Sequence, residues 1–230
     1  KFCIHLVKNI MVKQLGVQMN LEGLLDKIFE NTSKRKKEIL FLKSQVERNN
    51  RLCRPLYPML CAHFEVTVKE LSNYYIDYIS SKNVPFCELK ANFKALVLRR
   101  DFENVKSTVA DHNRIPIIER IESLNSENFN IVQSGNNLLI STNGNPKPIT
   151  LDAILKNIGL ETDLFVLKEN FISNQLLSIR HDIVHGNLRE VDIETFVETC
   201  DIVLELILKY ADLIFDAADK QLFLLRDNGA

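Results

Sequence analysis

The chain has 230 residues, 46% of them hydrophobic and 26% charged, with a formal net charge of -1. That composition is ordinary for a globular protein able to bury a full core, and the length allows one domain or a core carrying an inserted subdomain. The near-neutral balance excludes a broad basic face for nucleic acid, so any RNA contact has to come from local clusters.

Residues 1–18 begin with the apolar run Phe2-Cys3-Ile4-His5-Leu6-Val7, then Lys8 and Lys13 interrupt it. They lack the small-residue cleavage site of a signal peptide. Met19-Asn20-Leu21-Glu22 reads as a natural beginning. The first eighteen residues are therefore read as a leader or upstream extension, with a docked strand or helix as the alternative. From Leu21 the spacing is helical: Leu21, Leu24, Leu25 and Ile28 form a stripe that Ile39, Leu42 and Val46 continue. Lys34-Arg35-Lys36-Lys37 between them reads as a solvated face or, more sharply, as a phosphate-steering patch. Arg54-Pro55 and Tyr57-Pro58 favour a helix start. That helix runs to about Ser80 with Leu60, Phe64, Val68, Leu71 and Tyr75 inward, and it carries His63 and Glu65.

Val84-Pro85 breaks the pattern. Residues 86–99 and 101–125 read as shorter helices. Phe129–Val132 and Leu138–Ser141, flanking Ser134-Gly135-Asn136-Asn137, read as a hairpin. Residues 84–149 together look like a small mixed insertion into a helical core. Thr150 is expected to cap the next helix and Gly159 to end it. Asp192 is expected to cap a final helix of about 34 residues, roughly 50 Å long. Its Ile193, Val197, Cys200, Leu204, Ile207, Ala211, Ile214 and Ala218 form a heptad seam. Such a seam is more often bundle core within one chain than a coiled coil between chains. Five cysteines, Cys3, Cys53, Cys61, Cys87 and Cys200, form no Cys-x-x-Cys pair. They read as reduced buried thiols of a cytoplasmic protein rather than a disulfide framework or zinc site. No apolar run reaches membrane-spanning length.

The densest chemistry lies in Ile179-Arg180-His181-Asp182-Ile183-Val184-His185-Gly186. Leu176, Leu177, Ile179, Ile183 and Val184 can turn inward and anchor a helix, and Gly186 suits its left-handed end. His181 and His185, four apart, share a face. Arg180 and His185 lie roughly 140° apart around the axis, a gap that a long arginine near a fraying end can close. Arginine is a fixed cation suited to a phosphate, and histidine moves protons near neutral pH. Together they suffice to cut RNA without metal: the histidine handles the 2′-hydroxyl proton and the arginine offsets charge on the phosphorus oxygens.

At these residues the chain resembles the HEPN ribonucleases, whose signature is arginine, a polar residue, a few mostly apolar residues, then histidine. Cys61-Ala62-His63-Phe64-Glu65 through Lys69 is similar to the Ala-His-aromatic-Glu segment of one branch. In that branch a short helix follows a loop ahead of the motif helix, as Thr150–Gly159 does here. The resemblance runs in outline from Met19 to Phe223. It implies a helical bundle, a homodimer with both motif helices facing one cleft, and a setting beside restriction, phage-defence or toxin–antitoxin genes, with an antitoxin or defence protein as partner.

The expected fold is all-α: a bundle with two long helices and a small mixed insertion, residues 19–230 forming one domain. The expected function is a metal-independent endoribonuclease, a toxin or anti-phage effector, that leaves 2′,3′-cyclic phosphate ends on its RNA substrate. Arg180 and His185 are the expected catalytic residues, with His181 and Asp182 supporting. A lone histidine on a helix such as that of His63 is ordinarily a hydrogen-bonded structural residue; substrate binding is the other role open to His63, Glu65 and Lys69. No cofactor or metal is implied. Three alternatives stay open. Arg180, Asp182 and the histidines could form an ion-pair and capping network at a helix end. His181 and His185 could bind a metal, although no third ligand is evident. The domain could hold a nucleotide or a protein without cleaving.

Overall fold

Asn20 starts the first helix: its Oδ1 accepts from the Gly23 amide at 2.8 Å. The helix, α1, spans Leu21–Arg48 without a break through the basic run. Leu24, Ile28, Ile39, Leu42 and Val46 are buried along it, whereas Leu25 is exposed. Lys34, Lys36 and Lys37 face solvent, and Arg35 turns inward. The structure is a computed structural model that describes residues 19–106, 114–131, 140–142 and 144–225. The expected leader, residues 1–18, lies outside them.

α2, Cys53–Ser81, takes Pro55 in its first turn and Pro58 inside the helix. The short helices α3 (Ala91–Val97), α4 (Arg99–Lys106) and α5 (Ile115–Leu124) follow. α6 is Pro148–Asn157, α7 is Ser178–Val184 and α8 is Ile193–Asp219. α6 begins at Pro148, two residues before Thr150, because proline is preorganised for the first helical position and needs no cap donor there. Gly159 ends it at φ 74°.

α1, α2 and α8 pack against one another and carry the core, so there are three long helices where the sequence pattern predicts two. α8 has 27 residues, shorter than expected, and Asp192 caps it by accepting from the Thr195 amide at 2.7 Å. Its buried face is Phe196, Thr199, Cys200, Val203, Leu206, Ile207, Tyr210, Ala211, Ile214, Ala217 and Ala218. The heptad seam is one edge of that face: Val197 and Leu204 are half-buried and Ile193 is exposed. Two buried hydroxyl pairs set the register of α2 on α8, Tyr57 with Thr199 at 3.2 Å and Ser72 with Tyr210 at 2.6 Å. The exposed Lys43–Asp201 pair ties α1 to α8 at 2.8 Å. It contributes under about 1 kcal/mol, against roughly 1.5–3 kcal/mol for each large apolar side chain buried on the same helices.

Between 84 and 147 the described residues form short helices joined by turns, and no strand longer than a single bridge occurs among the described residues. Most of the expected hairpin, residues 132–139, lies outside them. Phe129, expected on its first strand, donates its amide to the Val84 carbonyl at 2.8 Å. Its ring sits edge-on to Phe86 and Phe93, at 5.5 and 5.7 Å between centroids. Phe223 and Leu225 pair with Lys90 and Glu88, so the chain after α8 returns to cover this region. Cys53, Cys61 and Cys200 are buried free thiols, whereas Cys87 is exposed. No described helix is long and apolar enough to cross a membrane.

Candidate functional site

The helix that carries the arginine and histidines is anchored on its inner side by Ile172, Leu176 and Ile179, all buried. Its approach is not α-helical: Phe171–Leu177 is a π-helical stretch, and the Ser178 amide reaches back to the Ser173 carbonyl. α7 ends at a Schellman turn. Gly186 has φ 81°, its amide reaches Ile183 at 3.2 Å, and the Asn187 amide reaches Asp182 at 2.8 Å. Val184, expected inward, is 63% exposed because the buried stripe passes through Ile179 and the half-buried Ile183 instead.

Arg180, His181 and His185 come together. With Leu177, Val184, Gly144 and Asn145 they line an open depression of about 150 Å³. The two imidazoles tilt against each other at 4.2 Å between centroids. Arg180 donates through Nη1 to the Gly144 carbonyl at 3.0 Å, and its guanidinium lies near the Cys61 thiol. Burial pushes the Cys61 thiol up to about 11, against the pull of Arg180. The sulfur therefore stays protonated near neutral pH and does not neutralise the guanidinium. Among the described residues Arg180 makes no ion pair.

Asp182 points elsewhere. It accepts from Asn187 Nδ2 at 3.0 Å and Arg189 Nη1 at 3.2 Å, and so braces the turn after the helix. Arg54 of α2 holds the same turn through the Asn187 carbonyl at 3.0 Å. Thus part of the expected capping network exists, formed by Asp182 without the arginine or the histidines of the depression. Among the described residues no three His, Cys, Asp or Glu side chains are grouped to hold a metal ion.

Of the three residues of the α2 segment, His63 parts from Glu65 and Lys69. His63 is buried and faces α1, with Nδ1 3.4 Å from Glu38 Oε2 and Nε2 without a hydrogen-bond partner. Burial holds its imidazole below the ordinary 6.5; Glu38 opposes this and Arg35 adds to it. Arg35 in turn pairs with Glu38 at 3.4 Å and Glu70 at 3.2 Å. Glu65, two residues from His63 and so about 200° round the helix, faces the other way. It is 7% exposed and accepts from the Thr142 hydroxyl and from Lys69 Nζ, the latter at 3.3 Å. Sequence reasoning missed Cys61, Thr142, Gly144 and Asn145. The i, i+4 spacing of Cys61, Glu65, Lys69 and Asn73 marks one face of α2 as polar, but nothing local says what it meets.

A family model described as RiboL-PSP-HEPN matches residues 30–216, a span that runs from α1 into α8 and includes the whole depression. No curated protein and no solved structure matches the chain.

Proposed function

The chain belongs to the RiboL-PSP-HEPN family, and from that premise we propose that it is a metal-independent endoribonuclease. The observation that carries the reading is Arg180: a cation without an ion pair among the described residues, opening into the same depression as two exposed histidines. A cation left unneutralised suits a ligand anion, and the histidines beside it suit proton transfer.

His185 takes the proton of the ribose 2′-hydroxyl, and the freed oxygen attacks the adjacent phosphorus. Arg180 holds the phosphate and offsets the charge that grows on its oxygens. The P–O5′ bond breaks, and the 5′ oxygen leaves with a proton from a second histidine of the cleft. The products are a 2′,3′-cyclic phosphate and a 5′-hydroxyl. His181, tilted against His185, orients it. Asp182 acts through the turn that it braces.

One copy of this site is sparse, so the working form is a symmetric dimer that brings two arginines and two catalytic histidines around one phosphate. Val184 and Leu188, 63% and 97% exposed beside the histidines, supply apolar surface for that contact. The biological role is that of a growth-arresting toxin or anti-phage effector, restrained by a partner protein.

The test is cleavage of a short RNA in excess chelator, beside a matched strand carrying one 2′-deoxyribose at the scissile position. Cutting of the RNA alone is expected. Cutting of the deoxy strand, or activity lost in chelator and restored by magnesium, overturns the mechanism. RNA binding without cutting favours a binding module instead. Light scattering that shows a monomer at micromolar concentration removes the composite cleft. Growth arrest on expression, relieved by His185→Ala, is the expected cellular result.

A further inference from the structure

One face of α2 carries Cys61, Glu65, Lys69 and Asn73 at successive i, i+4 positions. Ile140, Thr142 and Gly144 follow one another along that face in the opposite direction. Asn73 takes both backbone groups of Ile140: Nδ2 donates to its carbonyl and Oδ1 accepts from its amide, each at 3.3 Å. Two turns back along α2, Glu65 accepts from the Thr142 hydroxyl. One turn further back, Cys61 meets the Arg180 guanidinium, which the Gly144 carbonyl holds from the other side. The Asn145 amide closes a turn onto the Thr142 carbonyl at 3.0 Å, and Gly144 supplies its left-handed residue at φ 73°.

We infer that Glu65 and Thr142 are positioning residues for Arg180: with Asn73 they fix Ile140 and Thr142 on α2, and the turn from Thr142 to Asn145 then sets the Gly144 carbonyl where it aims the guanidinium into the depression. This rests on the reading of Arg180 as the phosphate-holding group. A carboxylate buried as deeply as that of Glu65 is tolerated only when paired and hydrogen-bonded. Its partners among the described residues are Thr142 and the half-buried Lys69. It therefore serves the fold of the site rather than the substrate. Thr142 is itself 2% exposed, so its hydroxyl has been withdrawn from water to make this one contact. The relay gives the Arg180 side chain a fixed acceptor although it lies near the end of its helix and, among the described residues, has no carboxylate to grip. A neutral carbonyl sets its direction without cancelling its charge.

The test reads Arg180 directly. In protein carrying 15N-labelled arginine, the Arg180 guanidinium signals, assigned by their loss in Arg180→Lys, are expected to show separate, slowly exchanging Nη groups. Thr142→Val keeps the side-chain shape and removes the hydroxyl. It is expected to average those signals and to lower kcat for RNA cleavage about tenfold, with KM within about twofold, the pattern of a misaimed group. Thr142→Ser is expected to restore both. Averaged Nη signals in the wild-type protein, or a wild-type spectrum in Thr142→Val, overturn the inference. So does an averaged spectrum with unchanged kcat. Should Thr142→Val fail to fold, Asn73→Ala releases the other end of the same segment and decides by the same readouts. A wild-type protein that shows the expected spectra but cuts no RNA sinks the ribonuclease reading and leaves the relay standing.

Discussion

Two arginine–histidine clusters lie on opposite faces of α2. On the α1 side, Arg35 is gripped by Glu38 and Glu70, and His63 is buried against Glu38. On the other side, among the described residues Arg180 is held by a carbonyl, with a protonated thiol nearby and no carboxylate, and His181 and His185 stand in solvent. The residue types are the same, but the charge balance is opposite. Where carboxylates saturate an arginine, its cation is spent within the fold. Where only neutral acceptors direct it, the charge remains for something that arrives from outside. The partners of an arginine therefore discriminate a structural site from a reactive one better than the arginine–histidine pairing does.

Substitutions on the two faces of α2 should separate function from stability. Arg180→Ala and His185→Ala should each lower RNA cleavage at least about a hundredfold, the scale of losing one group that stabilises transition-state charge. Their helix keeps its anchors Ile172, Leu176 and Ile179, so calorimetric melting temperatures should stay within about 2 °C. A melting temperature that drops sharply would move Arg180 into the structural class and erase the contrast. His63→Ala should do the reverse. It opens a gap under α1 and leaves Glu38 with one partner fewer, and urea titration should show a loss of about 1–3 kcal/mol with cleavage nearly intact. A large loss of cleavage in a stable His63→Ala protein would return His63 to substrate binding. His181→Ala should fall between them, about tenfold down in cleavage, because it orients His185 and does not replace it.

The smallest effect is in pH. His63 is held neutral by burial, below its ordinary 6.5. As pH falls below 6.5 the unfolded chain takes up this proton before the folded one does. Stability is then lost down to the folded value and is untouched above 6.5, with a slope of at most about 1.4 kcal/mol per pH unit from this group. Titrating the urea midpoint between pH 7 and 5 should show a shallower slope in His63→Phe than in wild type. Equal slopes would mean that His63 takes up its proton as readily folded as unfolded.

The parts of this architecture that follow from local rules were legible in the residue order. The stripe of α1, the span of α2, the Asp192 cap and the left-handed Gly186 each depend on neighbours within one or two turns. So does the gathering of Arg180 and His185, because an arginine reaches across a helix end. What was not legible depends on contacts far along the chain. Glu65 reads equally as a substrate ligand or a buried brace until Thr142, 77 positions away, is seen beneath it. Val184 reads as core until the buried stripe of its helix is known to follow Ile179 and Ile183. The seam on α8 was offset because two packing partners, α1 and α2, widen its buried face beyond what one heptad register describes. His63 and Glu65 were grouped by their nearness in sequence, yet two residues of helix put them on opposite sides.

The π-helical stretch Phe171–Leu177 acts as a phase setter for the site. A wider turn takes up residues without advancing the helix by its normal angle, so the anchors Ile172 and Leu176 within it and the polar group after it are not bound to one periodicity. Each residue of α-helix is worth about 100° of rotation. A chain one residue shorter in this stretch would therefore present a different side of α7 to Gly144 and Asn145. The direction in which Arg180 and His185 face is thus stored in a residue count, separately from their identity, and length variation here can reorient the site without touching any group that performs chemistry.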